Sequence, residues 1–94
     1  MADDLAALRR EIRAADRAIL ANVAKRLRAA KKIGVVKRKR GLPLRNFDVE
    51  AEVIAQARAL CRRHGIGQAL GEELMQMLIR ASVQTQARQG RRRK

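Results

Sequence analysis

Leu5, Leu8, Ile12, Ala15, Ile19, Val23, Leu27 and Ala30 recur at steps of three and four residues, and no Pro or Gly interrupts them before Gly34. That period lays one apolar stripe along a helix, so the spacing predicts a single helix from Asp4 to about Lys39. At 1.5 Å per residue such a helix is roughly 50 Å long, more than a compact domain of this chain length is wide. Gly41-Leu42-Pro43 ends it, since Gly is favoured just past a helix and Pro cannot continue one. Asn46 or Asp48 then caps a second helix, with Val53, Ile54, Ala57, Leu60 and Cys61 inward, up to the break at Gly65-Ile66-Gly67. A third runs from about Gln68 to Arg88, with Leu70, Leu74, Met77, Leu78 and Ala81 inward. The expected fold is all-α, three helices of which one is long, in a domain over residues 1–88, with a disordered basic tail over 89–94. Two short helices cannot cover the long one, so the stripes predict an intertwined two-fold homodimer.

Polar residues stand on or beside these stripes. Arg26 continues the series Leu5, Ile12, Ile19, each seven-residue step drifting only about 20°. There it either snorkels outward or fixes helix register, or it faces a ligand. Lys37 follows eleven residues later, within about 20° of the same azimuth and roughly 16 Å along the axis, so both long side chains can converge on one anion. Taken alone, Lys37 reads as part of the solvated run Lys37-Arg38-Lys39-Arg40. Arg9 is about 100° round the helix and some 25 Å from Arg26. It is either a surface residue or reaches the partner's site in an antiparallel or crossed dimer. On the third helix the row Leu74, Leu78 continues as Ser82 and Gln86, which satisfy each other or a backbone carbonyl, or bind a ligand. Glu50 lies on the row of Ile54, Ala57 and Cys61, where it offsets the helix dipole or faces the interior; Asn46 caps or contributes beside it. Together the seven describe a cavity with cationic and neutral donors and one carboxylate, suited to a small anionic ligand.

Charge supplies a rival reading. With 23 Lys+Arg against 9 Asp+Glu and a formal charge of +14, the chain also fits a basic dimeric nucleic-acid-binding protein. One Phe and no Trp or Tyr leave almost no platform for stacking unpaired bases, which leaves a basic helix-turn-helix as the surviving form of that class. Cys61 and His64 are the only Cys and His, so there is neither a zinc-ligand set nor an intramolecular disulfide. Cys61 reads as a small core residue and His64 as a helix-end residue. The acidic start Met1-Ala2-Asp3-Asp4 and the lack of an apolar run near ~20 residues give no sign of a secretory signal or membrane anchor; a cytoplasmic protein is expected.

The ordered spacing of Leu8-Arg9-Arg10-Glu11-Ile12 with Asp16, then Arg26, Ile33-Gly34, Lys37, Gly41-Leu42-Pro43-Leu44, Glu50, Ser82-Val83 and Gln86 resembles the all-helical chorismate mutases across roughly residues 5 to 88. The resemblance implies rearrangement of chorismate to prephenate, in aromatic amino acid biosynthesis, by an intertwined dimer without metal or cofactor. It implies that Arg9 is lent to the other subunit's site and that Arg26 and Ser82 hold substrate carboxylates. Lys37 would contact a carboxylate and the ether oxygen, Gln86 would be the second donor to that oxygen, and Glu50 would accept from the ring hydroxyl. By the same resemblance Lys37, Gln86, Arg26 and Glu50 form the catalytic set. Asn46 stands where many members have Asp, and Val49 precedes Glu50 where an Arg-Glu pair is common. Isochorismate-pyruvate lyase or aminodeoxychorismate mutase activity on the same fold are the alternatives, and a partner enzyme of aromatic biosynthesis is a further expectation.

Overall fold

The computed structural model describes residues 2–91 of the chain, with side chains from 4 to 88. Three helices follow one another, α1 (Ala2–Arg40), α2 (Phe47–His64) and α3 (Gln68–Arg91), and no strand occurs among the described residues. α3 thus carries the first part of the expected tail as helix, because nothing after Arg88 blocks propagation of a formed helix and Gly90 only weakens it. Residues 92–94 of that tail lie outside the described residues.

Two helices end in one way. Gly41 takes φ 65° and Gly65 φ 69°, a left-handed conformation that costs glycine nothing. Behind each, a reversed pair of backbone bonds closes the helix. Leu42 N–H donates to the Lys37 carbonyl at 2.8 Å and Gly41 N–H to that of Arg38; Ile66 N–H donates to the Cys61 carbonyl at 2.8 Å and Gly65 N–H to that of Arg62. This is the Schellman arrangement. Asn46 caps α2, its side-chain oxygen accepting from Val49 N–H at 3.2 Å, with Asp48 and Glu50 in the first turn and Arg62, Arg63 and His64 in the last, the charge order that the helix dipole favours.

α3 is the element that joins the others: it packs against both α1 and α2, whose backbones stay apart. Its C-terminal half runs parallel to the second half of α1, with Arg26 meeting Leu78 and Ser82, and Gly34 and Lys37 meeting Gln86. Its N-terminal half runs antiparallel to α2. There Gly71 lies against Cys61 and the Ala57 carbonyl, so closely that a side chain would strike the Cys61 sulfur, and Arg58 pairs with Glu72.

The chain is drawn out to 59 × 28 × 14 Å, with a radius of gyration of 17.1 Å where a compact domain of this length has about 12 Å. Its accessible surface of 7689 Å² exceeds by roughly 2,000 Å² the ~5,500 Å² typical of a folded monomer of this mass. Ala30, Ala57 and Cys61 are the buried apolar residues among those described, and no large side chain is fully buried. Leu5, Leu8, Ile12, Ile19, Leu60, Leu70, Leu74 and Met77, all expected inward, are exposed in the single chain. The stripes exist as the period predicts, but one chain supplies a neighbour for only part of their length.

Candidate active site

Where α1, α2 and α3 come together, a cavity of about 490 Å³ opens, within the usual range of small-molecule sites. Arg26 and Lys37 reach it from α1, Asn46 and Glu50 from the start of α2, and Ser82 and Gln86 from α3. Ala29, Ala30, Ile33, Leu44, Val49, Val53, Ile79 and Val83 form its apolar wall. Six of the seven polar residues singled out by the sequence therefore share one space. Arg9 does not; it lies on the exposed first half of α1.

Hydrogen bonds within the cavity fix which capacity each group has left. Arg26 Nη1 donates to the Leu78 carbonyl at 3.2 Å and to Ser82 Oγ. Ser82 is nearly buried, at 9% exposure, and with its oxygen accepting from Arg26 its hydroxyl hydrogen remains to donate. Lys37 Nζ donates to the Leu44 carbonyl at 2.6 Å and to Gln86 Oε1 at 2.8 Å, leaving one of its three N–H groups. With Oε1 accepting from Lys37, Gln86 turns its amide NH₂ into the free donor. Asn46 spends its oxygen on the α2 cap, which likewise leaves an NH₂. Both readings of Asn46 hold at once, since it caps the helix and lines the cavity.

Glu50 is the single carboxylate on the cavity wall. Arg45 grips it with two bonds, Nε to Oε2 at 3.0 Å and Nη2 to Oε1 at 2.5 Å, while its guanidinium stacks 4.5 Å over the Phe47 ring. Hydrogen bonding from Arg45 holds the Glu50 carboxyl below the ordinary carboxylate range; it outweighs the opposing effect of desolvation, and the charges of Arg45 and Lys37 add to it. The same bond raises Arg45. Sequence reading passed over Arg45, which lies in the turn before α2 where helical periodicity says nothing. Its signal was local: a cation one residue ahead of a cap, with an acid in the first turn beyond. It places a positive charge on Glu50 even though Val49 brings none.

The arrangement combines a small apolar enclosure, fixed cations and several unspent donors around one carboxylate. The Schellman turn at Gly41 contributes to it directly, because the turn aims the Leu44 carbonyl at the Lys37 ammonium and so holds that side chain from both ends.

Comparison with known proteins agrees with this geometry. Over 79 residues the chain is 30% identical to a chorismate mutase of Methanocaldococcus jannaschii, covering 84% of this chain and 80% of that protein. It is 32% identical over 90 residues to the T-protein of Enterobacter agglomerans; the match takes in 96% of this chain, which spans only 24% of that longer protein. Residues 8–87, all three helices and the whole cavity, match the family described as chorismate mutase type II, and the chain belongs to that family.

Proposed function

We propose that the cavity binds chorismate and rearranges it to prephenate, in a cytoplasmic homodimer whose second copy completes each site with its Arg9. The observation that carries this is the hydrogen-bond inventory. Once internal bonds are made, Arg26, Lys37, Ser82, Gln86 and Asn46 each keep an N–H or O–H to donate, and Glu50 is the one carboxylate among the described lining residues. A dianion bearing a hydroxyl group is the complementary ligand.

The reaction breaks one C–O bond while a C–C bond forms, so it needs neither a nucleophile nor a proton relay. What accelerates it is capture of a compact conformer and stabilisation of negative charge on the ether oxygen. Arg26, braced by the Leu78 carbonyl, and Ser82 hold one carboxylate. Arg9 of the second copy holds the other. Lys37 and Gln86, locked to each other, aim an N–H each at the ether oxygen, and Glu50, oriented by Arg45, takes the ring hydroxyl with Asn46 beside it. Even the lower end of enzymatic acceleration asks for about 8 kcal/mol, a scale that two preorganised donors and a carboxylate clamp reach together.

The dimer rests on surface. About 2,000 Å² of excess accessible area per chain, with a row of exposed Leu and Ile along α1, matches the burial of an obligate helical dimer. No described helix is long and apolar enough to cross a membrane, and a second copy is the cover proposed for that row.

Chorismate consumption, followed by near-UV absorbance with the product identified, tests the assignment. The wild-type protein should form prephenate. Arg26→Ala should lose both binding and rate, and Gln86→Ala should lose about 10²-fold or more in kcat. Near-normal turnover in Arg26→Ala would remove the cavity from the mechanism, and turnover of isochorismate or an amino analogue instead would reassign the substrate.

A further inference from the structure

Gly34 is buried within α1, six residues before its end, about one turn before Lys37 and two turns after Arg26. A Cβ built there would stand 3.0 Å from the Gln86 Cα, 3.3 Å from its Cβ and 3.3 Å from its carbonyl oxygen. Those are backbone atoms of a helix and the Cβ fixed to it, not the tip of a flexible side chain, so relief would require the two helices to shift. Glycine costs a helix interior stability relative to alanine, and here that cost sits where the α3 backbone at Gln86 comes against α1.

Gly34 stands on the four-residue row Arg26, Ala30, Gly34, facing the four-residue row Leu78, Ser82, Gln86. Ala30, 4% exposed, is the other small residue of that row. Lys37 Nζ stands 2.8 Å from Gln86 Oε1 and is tied on its other side to the Leu44 carbonyl, so a shift of the Gln86 backbone bears directly on how the two side chains meet. We infer that Gly34 is a positioning residue for the rearrangement: by admitting the Gln86 backbone at van der Waals contact it sets where the Gln86 amide points relative to Lys37. This rests on the proposed roles of those two residues.

A methyl group at position 34 would push Gln86 outward by a few tenths of an ångström, a displacement on the scale at which preorganised sites lose rate. The test is Gly34→Ala, made alone and in a Gln86→Ala background, with kcat, KM, thermal unfolding and sedimentation measured for each. The expected result is a folded assembly like the wild type with kcat lowered about tenfold and KM changed less than about threefold, the loss vanishing when Gln86 is already alanine. Unchanged kcat with a raised melting temperature would overturn the inference, since Gly34 would then be only a weak helix former. Equal losses in both backgrounds would overturn it too, as would failure of Gly34→Ala to fold, because each makes the glycine a general packing residue. If instead Gln86→Ala alone keeps full activity, it is the site assignment that fails, and the two failures are distinct.

Discussion

From Arg26 to Arg40, α1 lies against α3, buries Ala30 and Gly34 and lends two cations to the cavity; from Leu5 to Leu20 the same apolar repeat lies open, with Ile12 61% exposed. One helix and one period are thus covered along one half and uncovered along the other. A hydrophobic period fixes which face of a helix wants cover, but the identity of the cover depends on which other elements the chain can fold back over it. Here α3 runs parallel to α1 along its second half, where Arg26 meets Ser82 and Gly34 meets Gln86, and the first half stays uncovered in the single chain, the face assigned to a second copy in the proposed dimer.

The difference between the halves is most exposed to a charge placed in the open stripe. Ile12→Asp should separate the dimer and, by removing Arg9 from the site along with the buried surface, lower turnover about 100-fold or more; sedimentation and chorismate consumption at the same protein concentration read both. Unchanged values would mean that the first half of α1 is not an interface. A sharper experiment mixes Arg9→Ala and Arg26→Ala chains after unfolding and refolding. Each parent should be nearly inactive. Statistical mixing should restore about a quarter of wild-type activity, because half of the dimers carry one intact site of two. No recovery would place Arg9 outside the neighbouring site.

The smallest effect concerns the packed half. Glu50 titrates below its ordinary value because Arg45 bonds to it. A carboxylate with a depressed folded value contributes stability above its unfolded value and loses that contribution as pH falls through the folded one. Arg45→Ala should therefore move the acid limb of kcat/KM to higher pH while leaving the rate near pH 7 within about twofold, Arg45 being exposed and Glu50 staying charged there without it. A pH profile identical to wild type would show that Glu50 needs no help from Arg45.

Much of this was open to reading in the chain. Gly41-Leu42-Pro43 and Gly65 mark helix ends because a left-handed residue there is nearly obligatory for a Schellman closure, and both closures occur. Arg26 and Lys37 share a cavity because eleven residues make three turns, and Ser82 and Gln86 join them because a four-residue row stays on one face. Arg45 escaped because it acts from a turn, where no period exists. Lys37 binding to the Leu44 carbonyl escaped for the same reason. The exposure of Leu60, Leu70, Leu74 and Met77 could not be read at all, since periodicity names a face without naming its neighbour.

Among the described residues no large side chain is fully buried. In the proposed dimer this makes folding a two-body event: a newly made chain reaches a closed core only on meeting another, so its refolding rate and its melting temperature rise with protein concentration. Below some threshold of expression there is no slow or partial enzyme to be found, only chains open to proteolysis. The thin interior of each copy thereby links the amount of catalyst to the square of the amount of chain.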